Sequence, residues 1–374
     1  MIDSSRNASL GIDFGSRAMK IIVANGTSSR ISLQHAAMLD FETGPAKRFR
    51  AWVKERELVG CPTVISVPAD KAVLRWVMLP NVRGQERREA ARFRVKRHLP
   101  FPVEEAFIEA AEPETDEEGV SPSLVIAVRR EIIERRVETV AYAGLKPVAA
   151  ELEAQGVLRV VDRRLQERSL LWRNASLTIL DIGNDCTQMY VVQNQRLQFL
   201  RSVRFGVSHL VEALALALDL SYEEADARLA LPGTSLRQDG RLVIDTAQEA
   251  AIVDLSPVLE RLTRECLRLL RYFRSLHPER SYAGILDHMV LSGGAAGMRG
   301  LPEFLSSYLK LRVEPVRPFA GLAANIEGDA FRKLVMGQEA YTVALGLSLC
   351  GLDQAAVDEK KEGHEAKFVW QRSA

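Results

Sequence analysis

At 374 residues the chain has room for two or more domains. Apolar residues make up 47% and charged residues 26%, ordinary globular usage, and the formal balance of +1 excludes a global field for nucleic acid or anionic lipid. Cys61, Cys186, Cys266 and Cys350 stand far apart, with neither metal-ligand spacing nor a disulfide pattern, and the six histidines are equally scattered. The N-terminus, Met1-Ile-Asp-Ser-Ser-Arg, lacks signal architecture, and no apolar run approaches the ~20 residues of a membrane helix. A cytoplasmic protein that meets membranes only through partners is the expectation.

Taken in chain order, Ser9–Val23 reads strand, glycine turn, strand, with Asp13-Phe14-Gly15 at the turn. Thr63–Val67 and Leu74–Met78 are strand-like. Arg83–Leu99 is helix-like and strongly basic; a solvated face or an anionic or polar partner would each account for its charge. An acidic, loop-like stretch at Glu112–Gly119 follows. Leu124–Val128 suits a buried strand, and Arg129–Ala143 carries an apolar stripe through Ile132, Ile133, Val137 and Val140. Leu177–Val192 then repeats the opening pattern, with Asp181-Ile182-Gly183 at its turn, 168 positions after the first. Helices are expected at Val207–Leu218, Tyr222–Leu229 and Leu255–Phe273. A strand at Ile285–Leu291 enters the cluster Ser292-Gly-Gly-Ala-Ala-Gly297, and Leu301–Lys310 opens as a helix with Pro302 in its first turn. Ala213–Leu220 and Val343–Cys350 are of core-element size, and Asp353–Ala374 is charged and aperiodic, which reads as a frayed tail. Within it, Ala366–Ala374 is too short and too polar for a stable membrane anchor.

The two Asp-x-Gly turns supply what a phosphate clamp needs. Glycine lets backbone N–H groups approach phosphate, and the Ser16 hydroxyl adds a donor. Lys20 offsets charge, and Asp13 and Asp181 are suited to Mg²⁺ through its waters. One such turn is also an ordinary way to close a hairpin; the pair, with a third glycine segment at 292–297, carries the signal. There is no Gly-x₄-Gly-Lys-Ser/Thr loop and no Gly-x-Gly-x-x-Gly after a strand, which removes Walker-type and Rossmann readings.

Several segments are in addition similar to a known family. Gly11-Ile-Asp13-Phe-Gly15-Ser16 to Lys20, Val64–Pro68, Arg75–Pro80, Leu99-Pro-Phe-Pro-Val-Glu-Glu105 and Leu124–Val128 stand in one order. Glu131–Arg136, Ala143-Gly-Leu-Lys-Pro147, Arg264–Phe273, the glycine cluster and Ala344–Leu347 continue it. In that order they resemble the actin-like superfamily and, within it, the PilM family of type IV pilus assembly proteins. Departures are Arg17-Ala18-Met19 in place of a hydroxyl-rich run, a single glycine at Phe205-Gly206-Val207, and Gln155-Gly156, which is expected to interrupt a helix.

The resemblance implies an α/β protein of the actin-like fold: two RNase-H-like lobes around a nucleotide cleft, with an inserted subdomain. The first lobe would span 1–79, completed by about 152–175 and 329–352, with an insert at 80–151. The second would span 176–328, with a small helical subdomain at about 209–260, and 353–374 would be a flexible tail. ATP and Mg²⁺ are the implied cofactors. Asp13, Gly15, Ser16 and Lys20 would take one side of the phosphates and Asp181, Gly183 and Thr187 the other. Glu265, Arg268, Gly293 and Gly294 would line the nucleoside, and Asp13 and Asp181 would hold the metal through water. Glu153 would face the γ-phosphate and position water; the alternative is an ordinary helical acid. With no other clear base, the chain is at most a slow ATPase. The implied partner is the cytoplasmic N-terminal segment of a PilN-like single-pass membrane protein, held between first lobe and insert by Arg92, Phe93, Lys96 and Phe101. That places the chain at the cytoplasmic face of the inner membrane, with self-association left open and no nucleic-acid partner. Two alternatives stand beside this: an actin-like filament or division protein similar to FtsA, and a sugar- or acetate-kinase-like phosphotransferase.

Overall fold

The computed structural model describes residues 8–27, 30–41, 45–113, 118–166, 176–193, 196–247, 250–276, 288–326, 328–358 and 367–368. The middle of the acidic loop, residues 285–287 of the expected strand, and the terminal anchor segment apart from 367–368 lie outside that set.

The chain opens with β1 (Ala8–Phe14), β2 (Ala18–Thr27), β3 (Arg30–Asp40), α1 (Pro45–Glu55) and β4 (Pro62–Val67). It then leaves for β5 (Val73–Pro80), α2 (Gly84–Val95), β6 (Ala106–Ala110) and β7 (Val120–Arg129), and returns through α3 (Arg130–Tyr142), β8 (Lys146–Leu152) and α4 (Glu153–Gln166). The second half repeats the opening with β9 (Ser176–Ile182), β10 (Thr187–Gln193) and β11 (Arg196–Val203). Next come α5 (Val207–Leu218), α6 (Tyr222–Leu229), β12 (Thr234–Leu236), β13 (Arg241–Asp245), β14 (Ala250–Asp254) and α7 (Ser256–Leu276). The last elements are β15 (His288–Ser292), α8 (Leu301–Leu309), β16 (Arg312–Pro315), β17 (Ala323–Ala324), α9 (Gly328–Met336), α10 (Thr342–Asp358) and β18 (Lys367–Phe368).

The repeated hairpins are the seeds of two sheets with one topology. In the first, β3-β2-β1-β4-β8 run in that order, flanked by β17 and β18; in the second the order is β11-β10-β9-β15-β16. Each has three antiparallel strands and then two joined in parallel. β1 is buried almost throughout because helices cover the sheet, so its run is apolar or small rather than alternating. α10 lies across β1 and β2, where the Ser348 hydroxyl donates to the Ser9 carbonyl at 2.9 Å and accepts from the Ala24 amide at 3.1 Å.

Gln155-Gly156 does not interrupt a helix. α4 runs straight through it, and the glycine instead admits α10: a β-carbon on Gly156 would stand 2.8 Å from the Val343 carbonyl oxygen. The region after α5 is not purely helical either, since β12, β13 and β14 form a three-stranded antiparallel sheet there. Nor does the chain fray at 353: α10 continues to Asp358, and β18 pairs in parallel with β8. Among the described residues no helix is long and apolar enough to cross a membrane.

The sheet β5-β7-β6 is two-faced. Leu79, Ala110 and Val125 pack against Ala91 and Val95 of α2. Leu124, Ile126 and Val128, on the opposite face of β7, join the core of the first sheet. The excursion is thereby fastened to the first lobe by one face and roofed by α2 on the other.

Candidate functional site

The two hairpin turns face each other across a cleft of about 1360 Å³, above the usual range of small-molecule pockets. From the first hairpin Asp13, Gly15, Ser16, Arg17 and Lys20 line it; from the second Asp181, Gly183, Asn184, Asp185 and Cys186; from the third glycine segment Ser292, Gly293, Gly294 and Gly297. Asp13 and Lys20 are opposite one another in the β1–β2 register, which brings Lys20 Nζ within 2.9 Å of Asp13 Oδ2. Burial works against the Lys20 charge, but Asp13 beside it, with Asp181 and Glu153, raises the ammonium pKa. Lys20 is therefore a fixed cation in the cleft floor.

The acids respond the other way. Asp181 is pushed up to about 6, first by burial and then by the Asp13 carboxylate. Glu153, the first residue of α4, accepts the Ala69 amide at 3.3 Å. Its carboxyl is pushed up to about 8 by burial and by Asp13 and Asp181, against the pull of Arg136. Gly293 has φ +88°, and a β-carbon there would meet Asp181 Oδ1 at 2.8 Å. That turn needs glycine for both its backbone conformation and its close approach.

Nine of the twelve residues anticipated around the nucleotide and its attacking water line the cleft, Gly294 and Glu153 among them; Glu265, Arg268 and Thr187 are outside that lining. Glu265 and Arg268 lie on α7 and bind each other at 2.6 and 2.9 Å, away from the cleft lining, because the i,i+3 spacing pairs them along the helix. Thr187 is fully buried, and its hydroxyl donates to the Phe205 carbonyl at 2.8 Å.

Arg136 was not anticipated. It reaches from α3 into the cleft wall and donates to the Ser66 carbonyl, to the Ser66 hydroxyl at 3.2 Å and to the Phe14 carbonyl at 3.2 Å. The Phe14 amide in turn donates to Ser66 Oγ at 3.0 Å, so the end of β1 is tied to β4 and α3 at one point. Burial lowers the guanidinium pKa while Glu153, Asp13 and Asp70 hold it up. One signal was there to be read: Arg136 sits between Ile133 and Val140 on the buried stripe of α3, where an arginine has no reason to be unless it has partners. Glu339, from the turn before α10, and Asp226, from α6, are further cleft residues that no local motif marks.

Of the four expected partner residues, Phe93 turns away from the first lobe. On α2 the residues turned inward are Arg87, Ala91 and Val95, which leaves Phe93 on the far side, 80% exposed. Since α2 roofs the face of its sheet away from the first lobe, Phe93 cannot wall a groove between the two. Arg92 lies 4.0 Å from Glu104, Lys96 is exposed, and Phe101 sits under the Arg129 guanidinium at 4.5 Å. Apolar surface next to the first lobe comes instead from Trp76 and Met78, each about half exposed. Trp76 pairs with Leu124 and Met78 with Pro122, on the face that enters the first core.

A family model described as type IV pilus assembly protein PilM matches residues 11–352. No curated protein sequence matches. Among solved structures, the PilM–PilN type IV pilus biogenesis complex aligns with a TM-score of 0.73 at 24% identity, over 92% of this chain and 98% of that one. MreB5 of Spiroplasma citri bound to ADP aligns with a TM-score of 0.50 at 9% identity, over 96% of this chain and 99% of that one. At these identities the likeness is one of fold.

Proposed function

This chain belongs to the PilM family of type IV pilus assembly proteins and has the actin-like fold, and on that premise we propose that it is an ATP-binding adaptor that docks the cytoplasmic segment of a PilN-like membrane protein. The observation that carries the nucleotide half is the facing pair of Asp-x-Gly hairpins, with the Lys20–Asp13 pair on one and Asp181 on the other. Gly15, Ser16 and Gly183 would approach the phosphates, and Lys20 would meet their charge. The donor set fits a magnesium nucleotide: carboxylates from both lobes suit the waters of Mg²⁺, and the buried Ser292 hydroxyl at the glycine turn lies beside them. When bound, the metal would supply neutralisation of phosphate charge. The nucleoside would then lie along Gly293, Gly294 and Gly297 rather than against Glu265 and Arg268.

Hydrolysis is proposed to be slow. Glu153 carries a proton through much of the neutral range, which suits it poorly to draw one from water. The nucleotide then acts mainly by its differential affinity for the closed cleft.

The PilM–PilN complex supports the partner half by name and by fold. The seat proposed for the extended peptide is the step formed by Trp76 and Met78 on edge strand β5, with residues 80–151 as the partner-binding subdomain. Such docking would hold the chain at the cytoplasmic face of the inner membrane. The pilus-assembly match speaks against the filament and kinase alternatives. Calorimetric titration of the purified chain with Mg-ATP tests the nucleotide reading: saturable binding supports it, and no heat from a folded sample refutes it. Turnover above about 1 s⁻¹, the low end of ordinary enzyme rates, would refute the slow-hydrolysis part.

A further inference from the structure

The chain's balance of +1 hides an uneven distribution of charge on the insert. From Ala90 to Val103 there is no acidic residue, while Arg92, Arg94, Lys96, Arg97 and His98 fall within that run. The acids of α2, Glu86 and Glu89, stand in its N-terminal half. Of the carboxylates that follow, Glu104 lies 4.0 Å from Arg92, Glu105 pairs with Arg129 at 2.7 Å and Glu109 with Arg88 at 3.2 Å. Among the described residues, Arg94, Lys96 and Arg97 have no carboxylate within ion-pair distance, and all three are exposed. Phe93 is 80% exposed, more than any other aromatic side chain described. Lys96 and Arg97 follow it at helical spacing, where α2 runs on into the turn Lys96–His98.

A single exposed phenylalanine needs no explanation. One set among unpaired cations at a helix end has the make-up of a membrane-surface contact: the cations meet anionic headgroups and the ring enters the headgroup–acyl boundary. A specific protein partner needs about 800 Å² of matching surface on each side, and a convex helix end with one aromatic offers little of that. A bilayer needs no matching shape. Position agrees. α2 forms the outer layer of the insert, with Arg87, Ala91 and Val95 turned inward, and the Trp76–Met78 step lies on the other face of the same sheet. One helix and one sheet, roughly 20 Å, separate that step from the outer surface, a span that about six extended residues cover. A tail peptide seated at the step and continuing into a membrane helix would hold α2 close to the bilayer, where even weak attraction counts.

We propose that the C-terminal end of α2, through Phe93, Arg94, Lys96 and Arg97, is a docking surface for an anionic bilayer, a direct contact in addition to the one made through the partner. The proposal rests on the docking reading above for its orientation. Its test is co-sedimentation of the full chain, without partner, with phosphatidylcholine vesicles and with vesicles that also contain phosphatidylglycerol, at millimolar lipid. Wild type should sediment with the anionic vesicles only, and high salt should release it. Each cation at an anionic surface is worth about fivefold in binding, so joint Arg94→Glu, Lys96→Glu and Arg97→Glu should weaken it roughly a hundredfold. Phe93→Ala should weaken it severalfold, while Trp76→Ala leaves it unchanged. These side chains are exposed, so unchanged melting temperatures verify that the variants fold. Wild type that ignores anionic vesicles overturns the proposal, as does binding that survives the triple substitution. Capture of soluble polyglutamate in place of vesicles overturns it too and gives the face to an acidic protein. Loss of tail-peptide capture with vesicle binding intact would refute the docking reading alone.

Discussion

Arg17, in the turn of the first hairpin, clasps Asp226 of α6 through two hydrogen bonds of 2.7 and 2.6 Å that join the two sides of the cleft. In place of a hydroxyl at that turn, the chain has a cation whose partner lies 209 residues away. A half-exposed pair of this kind adds little to global stability, at most about 1 kcal/mol. Its effect falls on the opening of the cleft.

Arg17→Ala should therefore shift the melting temperature by no more than about 3 °C while speeding nucleotide release severalfold. Stopped-flow displacement of a fluorescent ATP analogue measures this. The difference between variant and wild type should shrink at high salt, where such pairs are screened. Release unchanged at low salt would remove the clasp from the account.

The buried acids give a pH dependence with a definite sign. Asp181 at about 6 and Glu153 at about 8 both lie above their unfolded values, so the folded chain holds more protons than the unfolded one. Their contribution to stability is full below about pH 4 and is lost as pH rises through 6 and then 8. Denaturant melts between pH 5 and 9 should show stability falling toward the alkaline side. Glu153→Gln should flatten that fall by up to about 1.4 kcal/mol per pH unit, one proton's worth. An unchanged slope would show that Glu153 does not hold its proton.

Arg87 offers a way to separate the two halves of the function. Only 1% exposed, it donates to the carbonyls of Ala111 at 2.6 Å and Pro80 at 2.7 Å and to Ser123 Oγ at 2.5 Å, tying α2 to the sheet beneath it. Arg87→Ala strands those acceptors and opens a cavity, at a cost of about 3–5 kcal/mol. The lobes form their cleft without α2. Partner capture should fall sharply, while Mg-ATP binding stays within about twofold of wild type, since no residue of α2 lines the cleft. Joint loss of both would show that insert and cleft fold as one unit.

Trp76→Ala should weaken capture of the partner's tail peptide at least roughly tenfold, as loss of a half-exposed aromatic anchor does, and Phe93→Ala should leave it unchanged. Binding measured by fluorescence anisotropy distinguishes the two seats. The opposite order would restore α2 as the docking face.

The fold was legible because its repeated unit is local. Asp13-Phe-Gly15 and Asp181-Ile-Gly183 each close a hairpin between contiguous strands, so spacing alone brings Lys20 to Asp13. What could not be read depends on contacts between distant segments. Ser66 and Arg136 meet Phe14 across 52 and 122 positions, and Glu339 reaches Gly297 from beyond α9. Glu265 and Arg268 stand outside the cleft lining, where their i,i+3 spacing pairs them with each other along α7. Phe93 was misplaced because an apolar residue beside a turn looks like pocket material until the helix face is known, and Ala91 and Val95 define that face.

One nucleotide is expected to bridge the two equivalent turns. Hydrogen–deuterium exchange of the full chain with and without Mg-ATP tests it most directly. Both turns, around Gly15 to Lys20 and around Gly183 to Thr187, should slow together on adding nucleotide, and neither should slow in Lys20→Ala at the same concentration. Protection of one turn alone, or of neither in a wild type that binds ATP, would contradict the two-lobe clamp.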